Sequence, residues 1–323
     1  MKYRKLGRSN IEVSEISLGC WTMGGLNWVN GDPNGWADVD VNEVKRAIDF
    51  GLDHGVNHFD NADVYGNGRA ERMLSEILGD RTKKLIIASK VGWFPGTAEH
   101  AYEAAHIRHQ CEQSLINLKR DVIDLYYFHH GDFGPEDRYL DGAIQAMRQL
   151  KKEGKIRLIG QSAYSNADFE RLVPKVDPDV LQSWAHSMDD QFVREGTPVR
   201  KLMDSRKISF VAFSPLNQGI LLGKFDPNNP PKFDEGDHRR GDNRFTTQEL
   251  LRVQPKIEKL KSRFGGDVKD LARVALQYLL ANPSVCCVIP GFRNLRQAEV
   301  NLAGWDRPLS AEDVAFIQQV FKD

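Results

Sequence analysis

The sequence predicts a (β/α)8 barrel, an α/β TIM barrel forming a single unit over residues 1–323, from three observations. Eight short runs rich in Val, Ile, Leu and aromatic residues recur along the chain. Helix-periodic segments separate them at repeats of about 25 to 40 residues, with no low-complexity linker. The first run ends in GCWTMGG, which lacks the GxGxxG spacing that a dinucleotide-binding open sheet carries after its first strand.

The strands expected are EISLGC from Glu15, VNHFDNA from Val56, LIIASKV from Leu85, VIDLYYFHH from Val122, IRLIGQSA from Ile156, VLQSWA from Val180, SFVAFSPL from Ser209 and VCCVIPG from Val285. Between them VNEVKRAIDFGLDHG, AERMLSEILG, YEAAHIRHQCEQSLINLK, LDGAIQAMRQLKKEG and NADFERLVPKV space apolar residues by three and four, with polar residues opposite. Several of these end in Gly after a charged turn, as a helix C-terminus should. Three segments depart from the repeat. Residues 2–13 place a turn at Gly7 to Asn10 between two extended pieces, an N-terminal hairpin expected to plug the bottom of the barrel. Residues 217–245, rich in Gly, Pro, Asn and Asp, exceed the roughly 12 to 15 residues of an ordinary loop and predict a long lid. The tail through LSAEDVAFIQQVF predicts a capped closing helix.

Composition narrows the partners. With 44 basic and 45 acidic residues and a net charge of −1, the chain is no nucleic-acid-binding basic domain. No apolar run approaches the roughly 18 residues of a membrane span, and MKYRKLGRSN lacks a signal peptide's apolar segment, so a cytoplasmic protein is expected. Cys20, Cys111, Cys286 and Cys287 have no CxxC spacing and are expected as reduced thiols. Neither His106 with His109, expected to face solvent, nor His129 with His130 has the third ligand of a zinc site, so no metal is expected.

Barrel chemistry resides at the C-terminal ends of the strands. Those ends carry Asp60, Lys90, His129, Ser162, Gln182, Ser214 and the Pro290–Gly291 pair, with Tyr65 in the loop after the second strand. Singly, Asp60 reads equally as a turn cap, Tyr65 as a rim aromatic, Lys90 as a solvated lysine and His129 as a core histidine; their convergence on successive strands is what points to catalysis. A lysine beside a phenol is expected to lower its pKa from about 10, an aspartate to fix the ammonium, and a neutral His129 to orient a carbonyl oxygen.

HFDNADVYGNGRAE, SKVG, DLYYFHH and IPGFRNLRQAEVN, in that order and with Tyr65 five residues after Asp60, resemble the aldo-keto reductases over nearly the whole chain. The resemblance implies a catalytic tetrad of Asp60, Tyr65, Lys90 and His129 and a nicotinamide cofactor lying across the barrel mouth. It also implies cofactor contacts at Gly19, Cys20, Trp21, Ser162, Gln182, Phe213, Ser214, Pro215, Leu216, Gln218, Lys224, Gly291, Arg293, Gln297 and Asn301. The chain departs from the family at Ala163, often Asn, where Asn166 is the substitute considered, and at Gln297, often basic. Arg293 and Arg296 at a helix start favour NADPH over NADH, because free N–H groups, the helix dipole and planar guanidinium groups all suit a phosphate. Trp21, Trp93, Phe94 and His130 follow strand ends and are expected to wall a substrate pocket for a small-molecule carbonyl compound, with Trp184 a further candidate.

The function expected is NADPH-dependent, reversible reduction of an aldehyde or ketone by a monomer or homo-oligomer. One alternative is a non-catalytic NADP(H)-sensing barrel subunit, like the family members that accompany potassium channels. Another is a metal-dependent hydrolase using Asp60 and His129.

Overall fold

In a computed structural model, which describes residues 1–29 and 31–322, eight parallel strands alternate with helices and close into a barrel. The N-terminal strands β1 (Tyr3–Lys5) and β2 (Glu12–Ser14) pair antiparallel as the expected hairpin. Then follow β3 (Leu18–Gly19), a small hairpin of β4 (Trp28–Val29) and β5 (Asp32–Pro33), α1 (Val41–Asp53), β6 (His58–Asp60), α2 (Arg69–Leu78), β7 (Ile86–Val91), α3 (Ala104–Leu118), β8 (Ile123–Phe128) and α4 (Leu140–Lys152). The second half comprises β9 (Ile156–Ser162), α5 (Asn166–Val176), β10 (Val180–Trp184), α6 (Pro198–Arg206), β11 (Ser209–Phe213), α7 (Thr247–Phe264), α8 (Val268–Leu280), β12 (Val285–Ile289), α9 (Leu295–Leu302) and α10 (Ala311–Lys322).

The sheet runs β12-β11-β10-β9-β8-β7-β6-β3, and Ile16 and Gly19 bridge in parallel to Val288 and Gly291 to close it. All eight expected strands are present. The helices α6, α7 and α8 lie beyond the periodic segments read from the sequence, for identifiable reasons. α8 buries nearly every residue from Leu271 to Leu280 and so lacks a polar stripe, while α7 carries Pro255 inside it.

The hairpin seals the bottom. Leu6 and Val13 bury among Ala88, Leu125, Tyr127, Leu158, Val180 and Val211 inside the barrel. Gly7 donates its N–H to Ser209 Oγ (2.6 Å) at a left-handed φ of +52°, and a Cβ there would lie 2.0 Å from the Asp179 carbonyl oxygen, so only glycine fits. Arg4 donates to the carbonyls of Leu280 (2.7 Å), Val285 (2.8 Å) and Asn282 (3.2 Å), tying the first strand to the last. Above the seal His58 lies fully buried, its Nδ1 3.0 Å from Ser17 Oγ and 3.7 Å from Cys287 Sγ; burial pushes its pKa down to about 4, so it is neutral. All four cysteines are free and buried.

Residues 217–245 form a short 3₁₀ turn (Asn217–Leu222), an irregular stretch and a second turn (Asn243–Phe245). The stretch is fixed against the loop after β3. The Asp237 carboxylate accepts the Ala37 N–H (3.2 Å) and is forked by Arg239 (2.9 and 2.7 Å), and the Arg239 guanidinium lies 4.6 Å from the Trp36 ring and 4.2 Å from that of Phe233.

Candidate active site

Strand alternation places His58 and Asp60 on the same face of β6, with Ala88 and Lys90 likewise on β7, so both charged groups turn into the barrel. In register, Asp60 is opposite Ala88 and Lys90 opposite Tyr127. The result is a buried ion pair: Lys90 and Asp60 are 1% and 2% exposed and bonded to each other. Such a pair persists only if its remaining valences are met. Lys90 spends its other two donors on the Asn61 carbonyl (2.7 Å) and Tyr65 Oη (3.1 Å), and the second Asp60 oxygen accepts from Gln182 Nε2 (2.7 Å). Gly160 on β9 makes room beside this network, since a Cβ there would fall 2.2 Å from the Tyr127 ring.

Tyr65 rides a tight turn, its N–H on the Ala62 carbonyl (3.2 Å) and its carbonyl accepting from Ala70 N–H at the start of α2 (3.1 Å). The pKa of this phenol corrects the expectation from sequence. Burial first, and then the Asp60 carboxylate, push it well above the ordinary tyrosine value rather than below it. The Asp60 carboxylate offsets the Lys90 charge, so burial decides and Tyr65 stays a proton-bearing donor. His129, just past β8, sits with its ring 5.8 Å from that of Tyr65. Burial, then Lys90, hold its pKa well below the usual imidazole value, so the ring is neutral, as expected. Its Nδ1 is buried without a partner among the described residues.

Of these four, Asp60, Tyr65 and His129 line one cavity of about 1080 Å³, with Lys90 buried behind them. Trp21, Trp93, Tyr164, Trp184, Met188, Asp189 and His238 surround the same end. Of the expected contacts, Gly19, Trp21, Ser162, Gln182, Phe213, Ser214, Pro215, Leu216, Gln218, Lys224, Gly291, Arg293, Gln297 and Asn301 all line it.

Three expected residues do not. The Cys20 side chain turns from the strand end into the core among the outer helices, where burial raises its thiol pKa. His130 points the other way along the strand, bonding the Gly92 carbonyl (2.8 Å) through Nε2 and exchanging backbone bonds with the Tyr102 hydroxyl (2.9 Å). Phe94 projects into solvent at 40% exposure, outside the cavity. Two further expectations are corrected: His106 is buried, its Nε2 2.7 Å from the Phe94 carbonyl, while Asn166, bonded to Gln191 (3.1 Å), does not line the cavity and so does not stand in for an asparagine at Ala163.

The far end of the cavity is cationic. Burial, then Arg239, Arg293 and Arg296, pull the Lys224 pKa down, which marks four positive groups converging on one space. Asn294 caps α9, accepting Gln297 N–H (2.9 Å), and Arg293 donates its N–H to Gln297 Oε1 (2.8 Å) and a guanidinium N–H to the Ala37 carbonyl. Excess positive charge at a helix N-terminus suits a phosphate. At the opposite end Ser162 Oγ is buried without a partner among the described residues, an open valence for a carboxamide. Residues present therefore fit a nicotinamide dinucleotide at both ends.

Sequence reasoning missed Trp36, Tyr164, Asp189, Asn294 and His238. Tyr164 follows the β9 strand end and was accessible to the strand-end rule. His238 was not, because nothing in an irregular loop fixes which residue turns inward. Among the described residues no group of three or more His, Cys, Asp or Glu is placed to hold a metal ion, and no helix is long and apolar enough to cross a membrane.

Comparison with known proteins agrees with this architecture. The model of the Aldo/keto reductase family matches residues 15–322. An uncharacterized oxidoreductase, YqkF of Bacillus subtilis, is 30% identical over 98% of this chain and 96% of its own. A probable voltage-gated potassium channel subunit beta of Arabidopsis thaliana is 28% identical, over 95% of this chain and 92% of its own. The holo form of aldo-keto reductase AKR11C1 from Bacillus halodurans superposes with a TM-score of 0.77 at 27% identity, covering 99% of this chain and 96% of that one. With its barrel closed, its strand ends assembled and its family model matched almost end to end, the chain belongs to the Aldo/keto reductase family.

Proposed function

We propose that the protein is an NADPH-dependent carbonyl reductase that converts an aldehyde or ketone to an alcohol, reversibly, with Tyr65 as general acid. The observation that carries this reading is the hydrogen-bonded Asp60–Lys90–Tyr65 set facing a neutral His129 across one cavity. When bound, the reduced nicotinamide supplies a hydride to the carbonyl carbon. Ser162 and Gln182 would hold its carboxamide, Phe213 its ring, Ser214 to Gln218 and Lys224 its diphosphate, and Arg293, Gln297 and Asn301 its adenosine end. A neutral imidazole can donate one N–H, so His129 fixes the carbonyl oxygen within reach of Tyr65 Oη. Tyr65 gives that oxygen its proton. Lys90, bonded to the same Oη, stabilises the phenolate that results, while Asp60 keeps the lysine charged and in place. In the reverse direction the same phenolate removes the proton from an alcohol.

The cation cluster at the α9 N-terminus supports NADPH over NADH, because a 2′-phosphate adds charge where four cations already converge. The reading includes a small-molecule carbonyl substrate, a cytoplasmic location, a monomer or homo-oligomer, and residues 217–245 as a lid over the cofactor. The second reading, a non-catalytic NADP(H)-sensing barrel subunit, is favoured by the likeness to the channel-subunit relative. Loss of cofactor absorbance with a panel of aldehydes, dicarbonyls, ketones and sugars, using each cofactor in turn, separates the two. Turnover supports the reductase; tight cofactor binding with no turnover of any carbonyl supports the sensor.

A further inference from the structure

We propose that His238, carried by the segment between β11 and α7, is a specificity-determining contact of the substrate pocket, hydrogen-bonding a hydroxyl that the substrate carries beyond its carbonyl. The proposal rests on the carbonyl-reductase reading and goes further, assigning the lid a part in substrate recognition.

His238 is placed from both sides. Its N–H donates to the Gly35 carbonyl (2.7 Å), and its neighbour Asp237 forms a bridge with Gly35 and accepts the Ala37 N–H. The backbone cannot slide without breaking these bonds. The ring meets Trp21 edge-on, with centroids 4.6 Å apart at 62°, and Trp21 stacks 6.1 Å from Tyr65. One aromatic ring therefore separates the imidazole from the phenol.

Three polar side chains around His238 and the tetrad are already committed. Trp21 Nε1 donates to the Asn34 carbonyl (3.3 Å), Trp184 Nε1 to Asp189 (2.8 Å), and the Tyr164 hydroxyl to the His129 carbonyl (3.2 Å). Tyr65 and His129 are reserved for the carbonyl oxygen. His238 lines the cavity half-buried, and neither ring nitrogen bonds another described residue. Burial, followed by Arg244, lowers its pKa below the usual imidazole value, so near neutrality it offers one N–H and one lone pair. A hydroxyl both donates and accepts and can use either nitrogen; an alkyl group would desolvate them and return nothing. The surrounding indoles suit the C–H faces of such a molecule. The substrate class assigned is thus a hydroxylated carbonyl compound rather than a plain alkyl aldehyde.

The test compares kcat/KM for glyceraldehyde and propanal, which share a carbon skeleton and differ in hydroxyls, in the wild type, His238→Phe and His238→Gln with NADPH. Phenylalanine keeps the ring packing on Trp21 and removes both nitrogens; glutamine restores a donor and an acceptor. The glyceraldehyde-to-propanal ratio is expected to fall about tenfold in His238→Phe, equivalent to about 1.4 kcal/mol, and to recover to within about threefold of wild type in His238→Gln. An unchanged ratio in His238→Phe overturns the assignment of His238 while leaving the reductase reading intact. Wild-type enzyme that reduces neither aldehyde, nor any other carbonyl compound, overturns both.

Discussion

The two ends of the cavity are built by opposite means. At the tetrad end Asp60 and Lys90 sit on strands, are buried, and hold Tyr65 in a bonded set: Lys90 satisfies three acceptors and Asp60 both its donors. At the α9 end Lys224, Arg239 and Arg293 ride on loops and Arg296 on the first turn of α9, and these four cations crowd one space, with Asp237 already taken by Arg239. The ion pair and phenol of the first end are bonded to one another before any ligand arrives, whereas the second gathers like charges that an anion would offset. Chemistry is thus preorganised by the sheet, and ligand choice is left to loops, which vary without disturbing the reacting groups.

The sharpest way to break this comparison is to remove the acid. Tyr65→Phe keeps the ring and deletes one hydroxyl, so turnover should fall roughly 10² to 10⁴ while NADPH affinity stays within about twofold, as read by steady-state kinetics and fluorescence titration. If the tetrad end were not separable from the cofactor end, affinity would fall too.

Next in size is the dryness of the barrel interior beneath the tetrad, which His58 reports. Its folded pKa of about 4 lies below the unfolded value of about 6.5. The unfolded chain therefore takes the proton first, and this residue's contribution is complete above about pH 6.5 and lost as pH falls toward 4. Against His58→Gln, which cannot titrate, the wild type should lose about 2.4 kcal/mol between about pH 7 and about pH 4.5, measured by urea unfolding. A constant difference between the two proteins would mean that water reaches the ring.

The cationic end predicts a smaller and selective effect. Arg293→Ala should raise the NADPH dissociation constant about 10- to 100-fold, the loss of one charge-assisted contact, and that for NADH by less than about threefold. Equal losses with the two cofactors would assign Arg293 to the shared part of the molecule. The smallest expected effect concerns residues 217–245, whose amide hydrogen exchange should slow a few-fold when NADPH saturates the protein. Unchanged exchange would make this segment a fixed wall rather than a lid.

The same contrast explains what could be read from sequence. All eight strands were legible because a strand buried on both faces is an unbroken apolar run, and Asp60, Lys90 and His129 were legible because a strand end fixes where its side chain goes. The raised Tyr65 pKa was not, since a lysine beside a phenol predicts the opposite until the lysine is seen to be neutralised by Asp60. Cys20 and His130 failed because each lies just past its strand, where the chain turns and alternation no longer says which way a side chain points: Cys20 packs into the core and His130 bonds the Gly92 carbonyl. Phe94 was misplaced because only one of the two adjacent aromatics in the loop after β7, Trp93, reaches the cavity. His238 is fixed by partners some 200 residues distant, and no local pattern could place it.

The bottom seal has a consequence for how the barrel is made. Arg4 is held by the carbonyls of Leu280, Asn282 and Val285, and Gly7 by Ser209, so the hairpin finds its partners 202 to 281 residues later in the chain. During synthesis β3 emerges with β6 soon behind it, but its other edge, which pairs through Ile16 and Gly19 with Val288 and Gly291, waits for nearly the entire chain. An unpaired strand edge is a template for another chain. Contacts of such long sequence separation also form slowly. Closure is therefore the late step of folding, and the hairpin latches a ring whose seam stays open until β12 arrives. Substitutions that weaken the latch, such as Arg4→Ala or Gly7→Ala, should first appear as aggregation of nascent protein, before any loss of activity in molecules that have closed.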